Sequence, residues 1–229
     1  MTDTGFARSL PHVLVYEGGE VDDPQDPGGR TNEGITQRTY NAYRSLSGLS
    51  KQDVYLMVPA ERDEIYRKQY WDAVRGDDLP SGVDFAVFDG GVNSGPGESI
   101  QWLQRALGSL YAGRIDGVFG MGTLAAVNAI NDNDGLIDRM EAERLAFLKA
   151  LPTWGRFGGG WKSRIDQVVH TSQAWATGSV GPAPVFHDGG NVKAPSAPPP
   201  IAPKPETPPA TGLWAAIIQF ILSILNRKV

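Results

Sequence analysis

Apolar residues recur at helical spacing through most of the first 176 positions, and this predicts a mainly helical body. The pattern places a first helix over residues 3–15, with Pro11 kinking or restarting it. Further helices are predicted over 37–45 and 59–71, the latter with Ile65, Tyr66, Gln69 and Tyr70 on helical spacing. An apolar segment over 82–88 should end at Asp89 and Gly90. The next helix, 96–107, opens with Glu98 in its first turn and stops at Gly108. A glycine-rich loop from Asp116 to Thr123 leads into 124–130, and helices over 136–151 and 161–176 complete the body. Strand content should be small and confined to a Pro/Gly-rich hairpin region over 21–35. The fold class expected is therefore mainly α, an α+β body with one small β-hairpin.

After residue 176 the pattern changes. Ten of the 17 prolines fall between Pro182 and Pro209, among Ala, Gly and Thr. Such a stretch has too few apolar side chains to build a core and predicts a disordered, extended linker over 177–212. At ~3.1 Å per residue it could reach on the order of 100 Å. Beyond it, a nearly unbroken apolar run begins at Leu213 and ends at Leu225, followed by Asn-Arg-Lys-Val. This C-terminal hydrophobic helix, 213–229, would be roughly 20 Å long over its apolar part at ~1.5 Å per residue. That is short against ~30 Å of bilayer hydrocarbon. Trp214, Arg227 and Lys228 are nevertheless suitable interfacial anchors, so membrane contact by spanning, surface binding or self-association is expected.

Candidate chemistry concentrates just after the first helix. Glu17 follows the apolar run Val13, Leu14, Val15 and Tyr16, and is followed by Gly-Gly-Glu-Val-Asp-Asp-Pro-Gln-Asp-Pro-Gly-Gly-Arg-Thr-Asn-Glu-Gly-Ile-Thr36. A carboxyl on the edge of an apolar helix is poorly solvated, which raises its pKa and suits a general acid. Asp26, among polar and glycine residues, should stay ionised and could orient or deprotonate water. Thr31 has a hydroxyl that can hold the same water. A neutral acid on one side and a water-directing carboxylate on the other is what glycosidic cleavage requires. As turn formers, Asp23 and Asp26 have an ordinary structural explanation too. Glu20 and Glu33 read as solvated positions. Trp71, with Tyr70, could stack on a pyranose, and Asn93 could hydrogen-bond a sugar substituent; a core aromatic and a helix cap are the plainer alternatives.

Other chemistries find little support. The chain has no cysteine, which removes thiol catalysis, disulfides and cysteine zinc sites. His12, His170 and His187 are far apart and lack a metal-binding context, and the Asp22, Asp23, Asp26 cluster lacks the ligand alternation of a calcium loop. No metal and no cofactor is expected. A net charge of −5 argues against nucleic-acid partners. No N-terminal secretory signal is visible in residues 1–9.

The ordered motif Glu17-Gly-Gly, then Asp23-Pro-Gln-Asp-Pro-Gly-Gly29, then Thr31-Asn-Glu-Gly-Ile-Thr36, resembles the signature of the glycoside hydrolase family 108 N-acetylmuramidases. The resemblance continues at Phe88-Asp-Gly-Gly-Val-Asn-Ser-Gly95, fades through the helices to about Ala176, and does not cover the last fifty or so residues. Position 20 departs from it, carrying Glu where the family often has Tyr. The order Glu17, Asp26, Thr31 is also similar to the Glu/Asp/Thr triad of phage-type lysozymes, with a slightly shorter Asp-to-Thr gap. The resemblance implies a lysozyme-like catalytic muramidase domain over 1–95, with Glu17 as acid and Asp26 and Thr31 positioning water. It also implies a helical half over 96–176 packed on it, in which the Asp116-Gly-x-x-Gly-x-x-Thr123 loop is similar to turns of small peptidoglycan-binding modules.

Its implied substrate is the glycan strand of peptidoglycan, cleaved between N-acetylmuramic acid and N-acetylglucosamine in the periplasm or cell wall. The enzyme would be held at the membrane by its tail and would reach the wall through a holin or secretion machinery. A lytic transglycosylase and a noncatalytic wall-binding or assembly protein are the alternatives.

Overall fold

The computed structural model describes residues 4–18 and 30–178. Eight α-helices are found among them: α1 (Thr4–Leu14), α2 (Gln37–Leu46), α3 (Pro59–Tyr66), α4 (Val83–Ser94), α5 (Pro96–Ala106), α6 (Met121–Asn128), α7 (Asn133–Lys149) and α8 (Trp154–Ala176). Two short strands, β1 (Thr31–Asn32) and β2 (Ile35–Thr36), pair antiparallel with Thr31 opposite Thr36 and Asn32 opposite Ile35. The body is mainly helical with one small hairpin, as the hydrophobic pattern predicts.

Local chemistry explains most boundaries. The hydroxyl of Thr36 accepts from the Thr39 N–H at 3.2 Å and caps α2. Pro59 opens α3, where Glu61 reaches back to accept the Val58 N–H at 3.3 Å. Asp132 accepts from the Gly135 N–H at 2.9 Å and caps α7. The hairpin turn has positive φ at both central residues, Glu33 (45°) and Gly34 (77°). That pairing matches the twist of its flanking strands, and glycine supplies the second position without strain.

Helix α4 is the axis of the body. Val83, Phe85, Ala86, Val87, Phe88, Asp89, Gly90 and Gly91 are all buried, as a helix surrounded by neighbours requires. It packs against α1, α5, α7 and α8. The core is continuous from Phe6 and Val13 of α1, through Phe88 and Trp102, to Met140 and Val168. A smaller cluster joins Leu148 to Trp161 and Ile165.

Three elements differ from expectation. The helix predicted over 59–71 changes pitch: α3 ends at Tyr66, and a π-helical turn, Arg67–Trp71, follows. The apolar segment predicted to end at Asp89 and Gly90 is a helix that runs on to Ser94, because its two glycines admit close neighbours rather than end it. A Cβ at Gly90 would lie 2.8 Å from Ser99 Oγ, and one at Gly91 would lie 3.3 Å from Val74 Cγ1. Helix α8 begins at Trp154, one and a half to two turns before the predicted Trp161, as the small cluster buries its first turns.

No helix among the described residues is long and apolar enough to cross a membrane. The expected linker beyond residue 178 and the apolar tail over 213–229 lie outside the described residues, as do Glu20, Asp22, Asp23 and Asp26.

Candidate active site

Glu17 stands in the turn that follows α1, where the N–H groups of Tyr16 and Glu17 bond back to the carbonyls of Val13 and Leu14 at 3.0 and 3.3 Å. Its side chain is only 4% exposed. Arg164, on α8, donates from Nη1 to Glu17 Oε1 at 3.1 Å. The guanidinium lies over the Tyr16 ring, 4.7 Å from its centroid. On the opposite carboxyl oxygen the hairpin turn closes in: a Cβ at Gly34 would come within 2.9 Å of Glu17 Oε2 and 2.6 Å of the Tyr66 hydroxyl. Tyr66 donates its hydroxyl to the Glu33 carbonyl at 2.8 Å, tying α3 to that turn. Arg62 holds the Glu33 carboxylate at 2.7 Å, so Glu33, read from sequence as solvated, is an anchor of the hairpin.

These contacts set the chemistry of Glu17. Burial pushes its carboxyl above the usual range; the Arg164 guanidinium pulls the other way, and burial prevails. Arginine only donates hydrogen bonds. In the acid form Oε1 is therefore the acceptor, and the proton sits on Oε2, the oxygen that faces the hairpin turn. Burial first, then the nearby Glu17 charge, raises the phenols of Tyr66 and Tyr70. Both stay neutral near Glu17 in the physiological range. The arrangement can hold an un-ionised carboxylic acid in place, with one oxygen fixed and the other carrying a transferable proton.

Beyond Arg164 the ionic contacts continue inward. Asp89 on α4 accepts from Arg164 Nε at 3.1 and 3.0 Å and from Nη2 at 2.9 Å. Arg144 on α7 meets the same carboxylate at 2.8 Å and Glu141 at 3.3 Å. Burial alone would raise Asp89, but the two guanidiniums outweigh it and hold this carboxyl below the usual range.

The other predicted site residues are distributed unevenly. Thr31 is half-buried on β1, two positions from the turn that carries Glu33 and Gly34. Asp26 lies outside the described residues. Trp71, expected to stack on a sugar, has no ring face open to solvent: it is 0% exposed and wedged edge-on between Phe6 and Phe88. Its Nε1 donates to Asp77 Oδ1 at 2.9 Å, and Gly76 lies directly against the ring. It is a core residue, buried because the π-turn rolls it inward. Asn93 is buried in the last turn of α4, with its Oδ1 accepting from Ser94 Oγ at 3.2 Å.

Arg164, Asp89, Arg144, Glu141 and Gly34 are not among the site residues predicted from the sequence, although Asp89 and Gly34 lie within its quoted motifs. The signal for the four charged ones is present, as charges on core-facing helical positions. Glu141 and Arg144 share a face with Ile137, Met140 and Leu148, and Arg164 sits between Trp161 and Ile165.

Comparison with known proteins adds two regions of similarity. The model of a family described as Glycosyl hydrolase 108 matches residues 10–95, which contain Glu17 and Asp89. A model described as a predicted peptidoglycan domain matches residues 98–166, which contain Glu141, Arg144 and Arg164. Among solved structures, the chain is similar to SagA of Brucella abortus, with 42% sequence identity and a TM-score of 0.64, over 75% of this chain and 95% of that one. No curated protein matches.

Proposed function

The chain belongs to the glycosyl hydrolase 108 family and is a glycoside hydrolase acting on peptidoglycan, and from that premise we propose that it is an N-acetylmuramidase whose general acid is Glu17. The bond cleaved is the β-1,4 link from N-acetylmuramic acid to N-acetylglucosamine. The observation that carries this reading is the state of Glu17: a buried carboxyl raised by desolvation, with Oε1 fixed by Arg164 and Oε2 left to carry the proton. Protonation of the glycosidic oxygen by Oε2 releases the leaving sugar, and water adds to the anomeric carbon. Asp26 and Thr31 position that water, a role supported by their place in the motif that follows Glu17.

The enzyme works in the cell wall or periplasm. Retention at a membrane by the segment from Leu213 to Leu225, and passage through a holin or secretion machinery, belong to the same proposal. They rest on the apolar sequence of that segment and on the location of the substrate.

Digestion of purified peptidoglycan, with products read by mass spectrometry, tests the reaction. Hydrolysis gives muropeptides with a reducing N-acetylmuramic acid end, whereas a 1,6-anhydro end would identify a lytic transglycosylase. Glu17→Gln keeps the shape of the side chain and loses the proton, so lysis should fall on the order of 10²-fold or more. Near wild-type lysis by that variant would remove Glu17 from the role of acid.

A further inference from the structure

The ionic chain behind Glu17 contains more carboxyls than guanidiniums. Among the described residues, the cations that meet Glu17, Asp89 and Glu141 are Arg164 and Arg144, and all five side chains are at most 5% exposed. Fully ionised, the cluster carries one net negative charge; with one proton it is neutral. Burying an uncompensated charge is costly, so the neutral state is favoured. Asp89 is not where that proton resides. It lies between both guanidiniums and accepts three contacts from Arg164 alone. The proton therefore belongs to Glu17 or to Glu141, at the two ends of the chain. Glu141 has a single partner, Arg144 Nη1 at 3.3 Å, and its Oε1 is buried without one.

We infer that Glu141 is a positioning residue for the acid: it shares one proton with Glu17 across the Arg164–Asp89–Arg144 bridge, and its charge keeps Glu17 in the acid form. With Glu141 ionised, Arg144 and Arg164 are balanced by Glu141 and Asp89, and Glu17 is neutral in the electroneutral cluster. With Glu141 neutral, the same cluster reaches neutrality only by ionising Glu17. Burial raises both carboxyls, Glu141 to about 7, so each favours its protonated form in this site. Among the described residues, the other ionisable groups facing Glu17 are Tyr16 beside it, Tyr66 on α3 and Tyr70 on the π-turn. All three phenols are raised, Tyr16 to about 12, and add no charge in that range. Arg144, Asp89 and Arg164 are the charged groups around Glu141.

The inference rests on Glu17 being the general acid, and its test separates the two. In the full chain, Glu141→Gln should shift the alkaline limb of the pH–lysis profile to lower pH by about one unit, since a like charge is lost from the coupled pair. The acid limb should stay in place. A purely structural role would lower stability and rate without moving the limb. Should Glu141→Gln fail to fold, the reciprocal effect decides. Coupling is symmetric, so in Glu17→Gln the carboxyl of Glu141, followed by carbon-13 NMR titration, should ionise at lower pH than in the wild type by a similar shift. An unmoved alkaline limb in folded Glu141→Gln, or an unmoved Glu141 titration in Glu17→Gln, overturns the shared proton. Full lysis by Glu17→Gln counts against the acid assignment alone, and the NMR titration still decides the coupling.

Discussion

Arg164 and Glu17 are 147 positions apart in the chain and meet at 3.1 Å, both nearly excluded from solvent. Glu17 lies in the region matched by the glycosyl hydrolase model, and Arg164 in the region matched by the peptidoglycan-domain model. The second region thus does more than pack beside the first: its last helix supplies the cation that fixes one oxygen of the carboxyl. The same guanidinium reaches Asp89 on the central helix, so Glu17, α4 and α8 are held by one side chain.

Replacing that side chain should be severe and graded. Arg164→Met removes a cation from between two buried carboxyls, and breaking such a pair from one side costs about 3–5 kcal/mol. Arg164→Lys keeps the charge but loses the forked contact with Asp89 and cannot span to Glu17 in the same way. Urea unfolding should rank the proteins wild type, Lys, Met, and lysis by the Lys variant should be well below wild type. Equal stability of the Met variant and wild type would mean that the buried pair contributes nothing to the fold.

Much of this fold is legible in the sequence, for identifiable reasons. The range predicted for α2 starts at its observed first residue and ends one residue short of its observed end, and Thr36 caps that start. The position of Glu17 at the close of an apolar helix predicts its poor solvation. The misreadings share a physical origin, in that neighbours distant in sequence decide them. Gly90 and Gly91 look like a helix stop until Ser99 and Val74 are seen against them. Trp71 could be read as a sugar platform or as a core aromatic at a helix end, and the structure packs it between Phe6 and Phe88. Arg164 acquires meaning only when α8 folds back across α4. A charged residue on an otherwise apolar helical stripe was the available clue.

Acid should first stabilise this body and then unfold it. Burial pushes the Glu141 carboxyl up to about 7 in the folded protein, from an ordinary value of 4.5. Between those limits the native state binds a proton that the unfolded chain has released, so stability falls as pH rises from about 4.5 to about 7. The contribution is complete below 4.5, and its size is about 3 kcal/mol. Asp89 acts in the opposite sense: its carboxyl is held below 3.8, so its contribution is present above that value and lost as pH falls further. Denaturant unfolding across pH should show greatest stability on the acidic side of neutrality, followed by a drop below about 4. Glu141→Gln should flatten the slope between 4.5 and 7; an unchanged slope would assign it to other groups.

Gly34 offers a test of how closely the hairpin is fitted to Glu17. Its φ is +77°, and an added Cβ would lie 2.6 Å from the Tyr66 hydroxyl and 2.9 Å from Glu17 Oε2. Gly34→Ala must therefore displace the phenol, the carboxyl or the turn itself. Left-handed backbone at a non-glycine residue costs about 1–3 kcal/mol. A shift of about 1 Å at a reacting group can cost on the order of 10²-fold in rate. Gly48 provides the control, since its φ is +70° and nothing lies within 4 Å of its Cβ position. Gly48→Ala carries the same backbone strain without the contact, so it should lose stability and keep its lytic rate per folded molecule. Gly34→Ala should lose both, with the pH–rate profile altered because its Cβ crowds Glu17 Oε2. If the two variants lose stability alike and both lyse walls at the wild-type rate, the hairpin turn does not shape the acid.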